Sequence, residues 1–306
     1  MKLLLIGLGS IGQKHLSILS EMEGLELAAL RTSKGLLKKE ITIPTFYTLA
    51  EALAFRPDGV IIANPTALHA ETALPFLEAG CKVLIEKPID ETVEKATILK
   101  PYASQIRVAY CMRFHPLIHY LKNKFSEEPP FKVGFKRSFY LPKWHPYADY
   151  TQEYTAQKKL GGGVIRTLSH ELDLAIHWFG EPETVVGVTD KVSFLSLDTD
   201  DYAFFTLKTK QQARVNFELD FFSPVNCNTG EAFTAKGMYQ WTLNEVRFMA
   251  YDTTEFIFLA TFEDSVHKMY ANQLHDFCNF VKTGTSINST YQESISILNV
   301  IKDIEK

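Results

Sequence analysis

Short apolar runs recur through the first third of the chain, each bounded by glycine, proline or a polar cluster. Residues 2–6, 25–30, 58–63, 81–85 and 106–110 read as strands buried on both faces. Between them apolar residues return at helical spacing. The pattern predicts a helix over 11–23 and another over about 67–79, stopped by Gly80. Thr48 and Glu51 form a capping box for a short helix ending before Pro57, and Asp90 is placed to cap the next one. Strictly alternating strands and helices predict a doubly wound parallel sheet.

The pattern changes after Glu127-Glu128-Pro129-Pro130, the nearest thing to a linker. Residues 131–141 alternate apolar and polar, as one half-buried strand does. Residues 184–193, 202–209, 213–222, 231–236, 239–243 and 246–251 read the same way, and 269–282 and 291–306 read as helices. Successive strands with short turns predict an α+β domain on an open, mainly antiparallel sheet.

At 306 residues, with 46% apolar and 22% charged, the chain has room for two ordinary globular domains. A net charge of −4 gives no basic field for nucleic acid. No apolar run reaches the roughly 18 residues of a membrane span. The N-terminus opens as a strand without the signal-peptide pattern. Cys81, Cys111, Cys227 and Cys278 are scattered with no C-x-x-C pair, so a reduced, cytoplasmic protein is expected.

Chemistry enters with Gly7-Leu8-Gly9-Ser10-Ile11-Gly12. A G-x-G-x-x-G pattern alone is weak, but here it follows a strand and opens a helix, the context that dinucleotide binding requires. The first glycine permits a tight turn, the second lets backbone approach a pyrophosphate, and the third lets helix pack on strand. Ser10 and Ile11 then stand at a helix N-terminus that faces the phosphates with its amides. The first domain is therefore expected to be a Rossmann unit over 1–117, with the α+β domain over 118–306.

The second strand ends at Arg31-Thr32-Ser33-Lys34, nineteen residues past Gly12 and with no acid nearby. NAD-binding versions place a carboxylate there for the ribose hydroxyls. A guanidinium, hydroxyls and an ammonium suit a 2′-phosphate better, so NADP is preferred over NAD. A solvated basic loop is the ordinary alternative. Asn64-Pro65-Thr66 and Glu86-Lys87-Pro88 follow later strands, at the carboxyl edge where open α/β sheets place ligands. A surface Lys-Pro turn is the common reading of the second tripeptide by itself. At a strand end, Lys87 can instead serve as a cation, a donor or a proton carrier, and the bond before Pro88 is a cis candidate.

In the second half, Trp144 and Tyr154 lead to Gly161-Gly162-Gly163, then Arg166-Thr167-Leu168-Ser169-His170-Glu171-Leu172-Asp173. On a helix His170, Asp173 and His177 share one face. Histidine beside a carboxylate can serve as a general acid/base pair, with a plain polar helix face as the ordinary alternative. A zinc site has no supporting ligand cluster, so no metal is expected. Glycines this dense suggest close approach by some other group.

These motifs resemble the Gfo/Idh/MocA family, the relatives of glucose–fructose oxidoreductase and inositol dehydrogenase. The resemblance rests on the glycine loop, Asn64-Pro65-Thr66 with His69, Gly80 through Glu86-Lys87-Pro88, Tyr110 with Arg113-Phe114, and the glycine triplet with His170 and Asp173. It covers nearly the whole chain, and the Trp144–Tyr154 region resembles a branch found among surface-sugar biosynthesis genes. It implies an NAD(P)-dependent oxidoreductase acting on a sugar or sugar derivative held between the nicotinamide and the second domain. Lys87, His170 and Asp173 are implied to be catalytic, with Asp173 orienting the imidazole. Asn64, Pro65, Thr66, His69, Glu86, Lys87 and Arg113 are expected along the cofactor, and Lys87, Trp144, Tyr154, Arg166, Thr167 and His170 along the substrate. A homodimer or homotetramer through the second-domain sheet is also implied. Thr167 departs from the family, standing where relatives carry a substrate-binding aspartate, and Arg166 replaces an apolar residue. Arg166 is then expected to pair either with a protein carboxylate or with an anionic substrate. The alternative function is a ligand-sensing regulator that binds NAD(P) without turnover; a reductase for a non-sugar ligand is a third reading.

Overall fold

The computed structural model describes residues 1–32, 41–146, 148–263 and 265–306. It comprises two units, Met1–Cys111 with Tyr270–Ile295, and Met112–Met269 with Ser296–Lys306. Ser33, Lys34 and Tyr147 lie outside the described residues.

In the first unit the apolar runs form β1 (Lys2–Ile6), β2 (Glu26–Leu30), β3 (Thr45–Phe46), β4 (Gly59–Ile62), β5 (Lys82–Ile85) and β6 (Ile106–Val108). The helices between them are α1 (Ser10–Leu19), α2 (Leu49–Ala54), α3 (His69–Glu78) and α4 (Val93–Ala96). Thr48 and Glu51 cap α2 reciprocally, as their spacing predicts. Asp90 does not cap α4. Thr92 does, accepting from the Lys95 amide at 3.2 Å, while buried Asp90 accepts from the Ala70 amide at 2.9 Å in the first turn of α3. An amide three residues on is within a cap's reach, and Thr92 holds that place.

The second unit contains α5 (Pro116–Glu127), β7 (Lys132–Tyr140), α6 (Val164–Thr167) and α7 (His170–Phe179). It continues through β8 (Pro182–Asp190), β9 (Tyr202–Thr209), β10 (Arg214–Asp220), β11 (Phe222–Phe233), β12 (Gly237–Thr242), β13 (Glu245–Ala250) and β14 (Ile257–Thr261). The chain ends with α8 (Ser265–Thr283), β15 (Ser289–Thr290) and α9 (Tyr291–Ile304). No helix among the described residues is long and apolar enough to cross a membrane.

The first sheet runs β15-β6-β5-β4-β1-β2-β3, parallel except where β15 meets β6. Its core joins Leu3, Leu5, Ile61 and Leu84 to Ile18 and Leu19 of α1 and to Leu274, Phe277 and Phe280 of α8. That apolar stripe on α8 explains why Tyr270–Ile295 belongs to the first unit, whereas the sequence division at 117/118 assigns it to the second.

The second sheet runs β14-β13-β12-β11-β7-β10-β9-β8. Every pairing is antiparallel except β7 with β10. β11 starts nine residues before the predicted 231–236, because a register shift between Phe222 and Cys227 breaks the alternation that marks a strand. One face packs Phe135 between Phe217 and Trp178, and Trp241 and Phe125 join this aromatic layer. The other face carries Lys136–Glu218 and Lys132–Glu231 pairs around a concavity of about 490 Å³.

Candidate active site

Register fixes the carboxyl edge of the first sheet. Ile6 lies beside Leu30 and Ile62, Ile62 beside Ile85, and Ile85 beside Val108. The residues that follow, Gly7, Arg31, Asn64 and Glu86-Lys87, therefore emerge along one edge. Gly7 has φ +86°, and a Cβ on Gly12 would lie 2.1 Å from the Gly7 carbonyl oxygen, so helix and strand meet only without that atom. A Cβ on Gly9, in contrast, would meet nothing within 4 Å. The N-terminus of α1 has no side-chain cap and no acid in its first turn. Exposed amides, the dipole end and open space at Gly9 fit a dinucleotide pyrophosphate.

Lys87–Pro88 is a cis peptide. Glu86 Oε2 accepts from the Lys87 amide at 3.3 Å, and Glu86 Oε1 accepts from Nε2 of buried His15 at 2.7 Å. His69, expected at the cofactor, has both ring nitrogens against main-chain carbonyls, Pro88 and Asn64, each at 2.9 Å. Burial pushes its pKa down, outweighing the two carbonyls. The ring thus joins the Asn64 turn to the E-K-P turn. Asn64 Nδ2 donates to Thr72, and Thr66 is buried at the start of a helical turn. Arg31, half-buried, and exposed Thr32 follow β2.

In the second unit the glycine triplet opens the segment that carries His170. The group it approaches closely is the protein itself. A Cβ on Gly162 would lie 2.2 Å from the Tyr154 carbonyl oxygen, and one on Gly163 (φ +120°) 2.3 Å from Asp200 Oδ1. Asp200 Oδ2 accepts from the Val164 amide at 3.0 Å and from Thr189 at 2.9 Å, so it caps α6 from a distant loop. Burial raises the Asp200 carboxyl, opposed by Thr189 and by the Arg166 charge. His170 begins α7 half-buried, with Asp173 buried one turn on.

Arg113, also expected at the cofactor, is buried and forks onto Asp173. Arg166 pairs with Glu305, its Nη2 donating at 2.9 Å and its Nη1 also donating. A protein carboxylate was one of the two partners expected for it, and Glu305 is such a carboxylate. Thr167 is buried, its amide donating to the Gly163 carbonyl at 3.0 Å. Trp144, 39% exposed, packs edge-on to Phe139 and stacks on His145, whose Nδ1 donates to Glu153 at 2.6 Å. His177 lies 2.9 Å from Lys122. No cluster of metal-ligating residues occurs among the described residues.

Sequence reasoning missed His15 and Asp200. His15 falls on the buried stripe of α1 with Gly12, Ile18 and Leu19, so a polar residue in an apolar periodicity was the available signal. Asp200 stands in Asp198-Thr199-Asp200-Asp201, whose three acids accept from the amides of Lys158, Val164 and Val192. Nothing local distinguishes such an acid from a solvated one.

Residues 1–114 match the family model described as "Oxidoreductase family, NAD-binding Rossmann fold", and residues 134–240 match the "GFO/IDH/MocA C-terminal domain". The chain is 26% identical over 200 residues to the rhizopine catabolism protein MocA of Rhizobium meliloti, covering 62% of this chain and 61% of that one. It is 23% identical over 317 residues to D-xylose 1-dehydrogenase (NADP(+)) 2 of Haloferax volcanii, covering 98% and 95%. The fold is similar to that of UDP-N-acetylglucosamine 3-dehydrogenase GnnA from Acidithiobacillus ferrooxidans, with a TM-score of 0.82 at 19% identity over 100% of this chain and 96% of that one. With both halves matching domains of the same family, the chain belongs to the Gfo/Idh/MocA oxidoreductases.

Proposed function

We propose that the chain is an NAD(P)-dependent oxidoreductase that transfers a hydride between nicotinamide and a hydroxyl or keto carbon of a sugar or sugar derivative. One observation carries this reading: Glu86-Lys87 leaves the same sheet edge as the uncapped glycine-loop helix. Nicotinamide, when bound, supplies or accepts the hydride. Lys87 donates to the reacting oxygen and offsets its developing charge, which makes a metal unnecessary. His170 carries the proton of that oxygen. The names of the relatives, a D-xylose and a UDP-N-acetylglucosamine dehydrogenase, support a sugar-type substrate. Arg31 and Thr32 support NADP over NAD. Trp144 and Tyr154 supply surfaces for a sugar ring. Exposed Val186, Val188 and Phe204 on the face of the second sheet opposite its aromatic layer support a homo-oligomer through that face.

The test is a screen of free sugars, sugar phosphates and nucleotide sugars for absorbance change of NADP(H) and NAD(H). Turnover by the wild type that is lost in both Lys87→Ala and His170→Ala, with cofactor binding intact, supports the reading. Full turnover by Lys87→Ala overturns it. The second reading, a sensor without turnover, draws on Thr167 at the family's aspartate position; tight cofactor binding with no turnover of any sugar would favour it.

A further inference from the structure

His15 occupies a position where the apolar periodicity of α1 calls for a core side chain, and it is fully buried. A buried imidazole is unfavourable unless it is hydrogen-bonded. Its Nε2 donates to Glu86 at 2.7 Å, while Nδ1 has no hydrogen-bond partner among the described residues. The ring stands edge-on to Tyr270 at 6.3 Å, and Tyr270 bonds the buried thiol of Cys111. Burial foremost, and then the Glu86 charge, pushes that thiol up to about 12, so Cys111 stays neutral. Among the described residues His15 is thus the one side chain hydrogen-bonded to the Glu86 carboxylate. The other contact of that carboxylate is the long one to the Lys87 amide. The same helix begins at the glycine loop, so one bond ties the loop's helix to the lysine turn.

We propose that His15 is a positioning residue: by holding Glu86 it fixes the E-K-P turn and the direction from which Lys87 meets its substrate. The proposal rests on reading Lys87 as the reacting lysine. An apolar residue at 15 would fill the space but leave a largely buried carboxylate free to turn out toward water.

The experiment compares wild type, His15→Gln, which retains an N–H donor near the Nε2 position, and His15→Leu, which has none. Lys87 and Lys82 are acetylated with an N-hydroxysuccinimide ester at neutral pH, and their rates are compared by peptide mass. His15→Leu is expected to change the Lys87-to-Lys82 ratio by about threefold or more while His15→Gln stays near wild type. With UDP-N-acetylglucosamine or D-xylose, whichever is turned over, kcat should fall about tenfold or more in His15→Leu with KM within about twofold. An unchanged ratio in His15→Leu, or equal losses in both variants, overturns the proposal. Should His15→Leu fail to fold, Glu86→Gln probes the link from its other end and must shift the ratio likewise. Absence of wild-type turnover counts against the oxidoreductase reading alone, and the acetylation ratio still decides this one.

Discussion

Arg113 holds Asp173 through two nitrogens, Nε at 2.9 Å and Nη2 at 2.7 Å, with both side chains buried. Asp173 sits three residues past His170 on the same helix, the place where the family resemblance implies an acid that orients the imidazole. Its carboxylate is already engaged by a guanidinium, which anchors the first turn of α7 within the second unit. Removing one member of a buried ion pair leaves the other uncompensated, a loss of about 3–5 kcal/mol. Urea unfolding of Asp173→Ala and Arg113→Ala should each show a loss of that order, and the double variant should lose less than the two combined. A small stability loss in Asp173→Ala beside a large loss of kcat would make Asp173 catalytic instead.

Arg166 and Glu305 lead to a different expectation. The guanidinium is bidentate to Glu305 near the carboxyl terminus, and its charge also opposes the upward push of burial on the Asp200 carboxyl that caps α6. The pair is partly exposed, with side-chain exposures of 14% and 31%, so its loss should be modest, about 1–2 kcal/mol in Arg166→Leu. Glu305→Gln should cost a similar amount. The preference between anionic and neutral sugars should not move. A KM that rises only for anionic sugars, with melting temperature unchanged, would return Arg166 to the substrate.

The first unit was largely legible because each cue there is local. Residues 2–6 and 81–85 are continuous apolar runs, and the glycine loop is defined by spacing alone. His69 and Arg113 share motifs with the cofactor-edge residues, yet their polar atoms are directed at Pro88, Asn64 and Asp173. A motif gives proximity along the chain, not the direction of a side chain. Asp200 and Glu305 reach α6 across 36 and 139 residues, and no periodicity encodes contacts of that span. The strand over Phe222–Phe233 was obscured by its own bulge, where alternation fails.

The proposed preference for NADP rests on Arg31. If it meets a 2′-phosphate, NADPH should bind more tightly than NADH by about tenfold or more, since a charge-assisted contact contributes ~1.5–3 kcal/mol. Arg31→Ala should erase most of that gap and leave NADH affinity nearly unchanged. Fluorescence titration of the two reduced cofactors measures both. Equal affinities in the wild type would remove the basis for NADP.

His115 gives the chain an acid limit. Its ring is buried at the start of α5, Nδ1 accepting from the Leu117 amide at 3.2 Å, with the edge of Phe262 nearby. Burial first, and then His119, lowers its pKa from 6.5 to about 4. A histidine held neutral in the fold binds fewer protons there than in the unfolded chain. Its contribution is therefore fully present above about 6.5 and declines as the pH falls toward 4. His119, lowered by burial and by Lys122, acts in the same direction. The loss for His115 should approach about 2–3 kcal/mol across that window. Urea unfolding at several pH values should show it in the wild type, and His115→Gln, which cannot titrate, should flatten the curve. A pH dependence that persists unchanged in His115→Gln would assign the acid sensitivity to other groups.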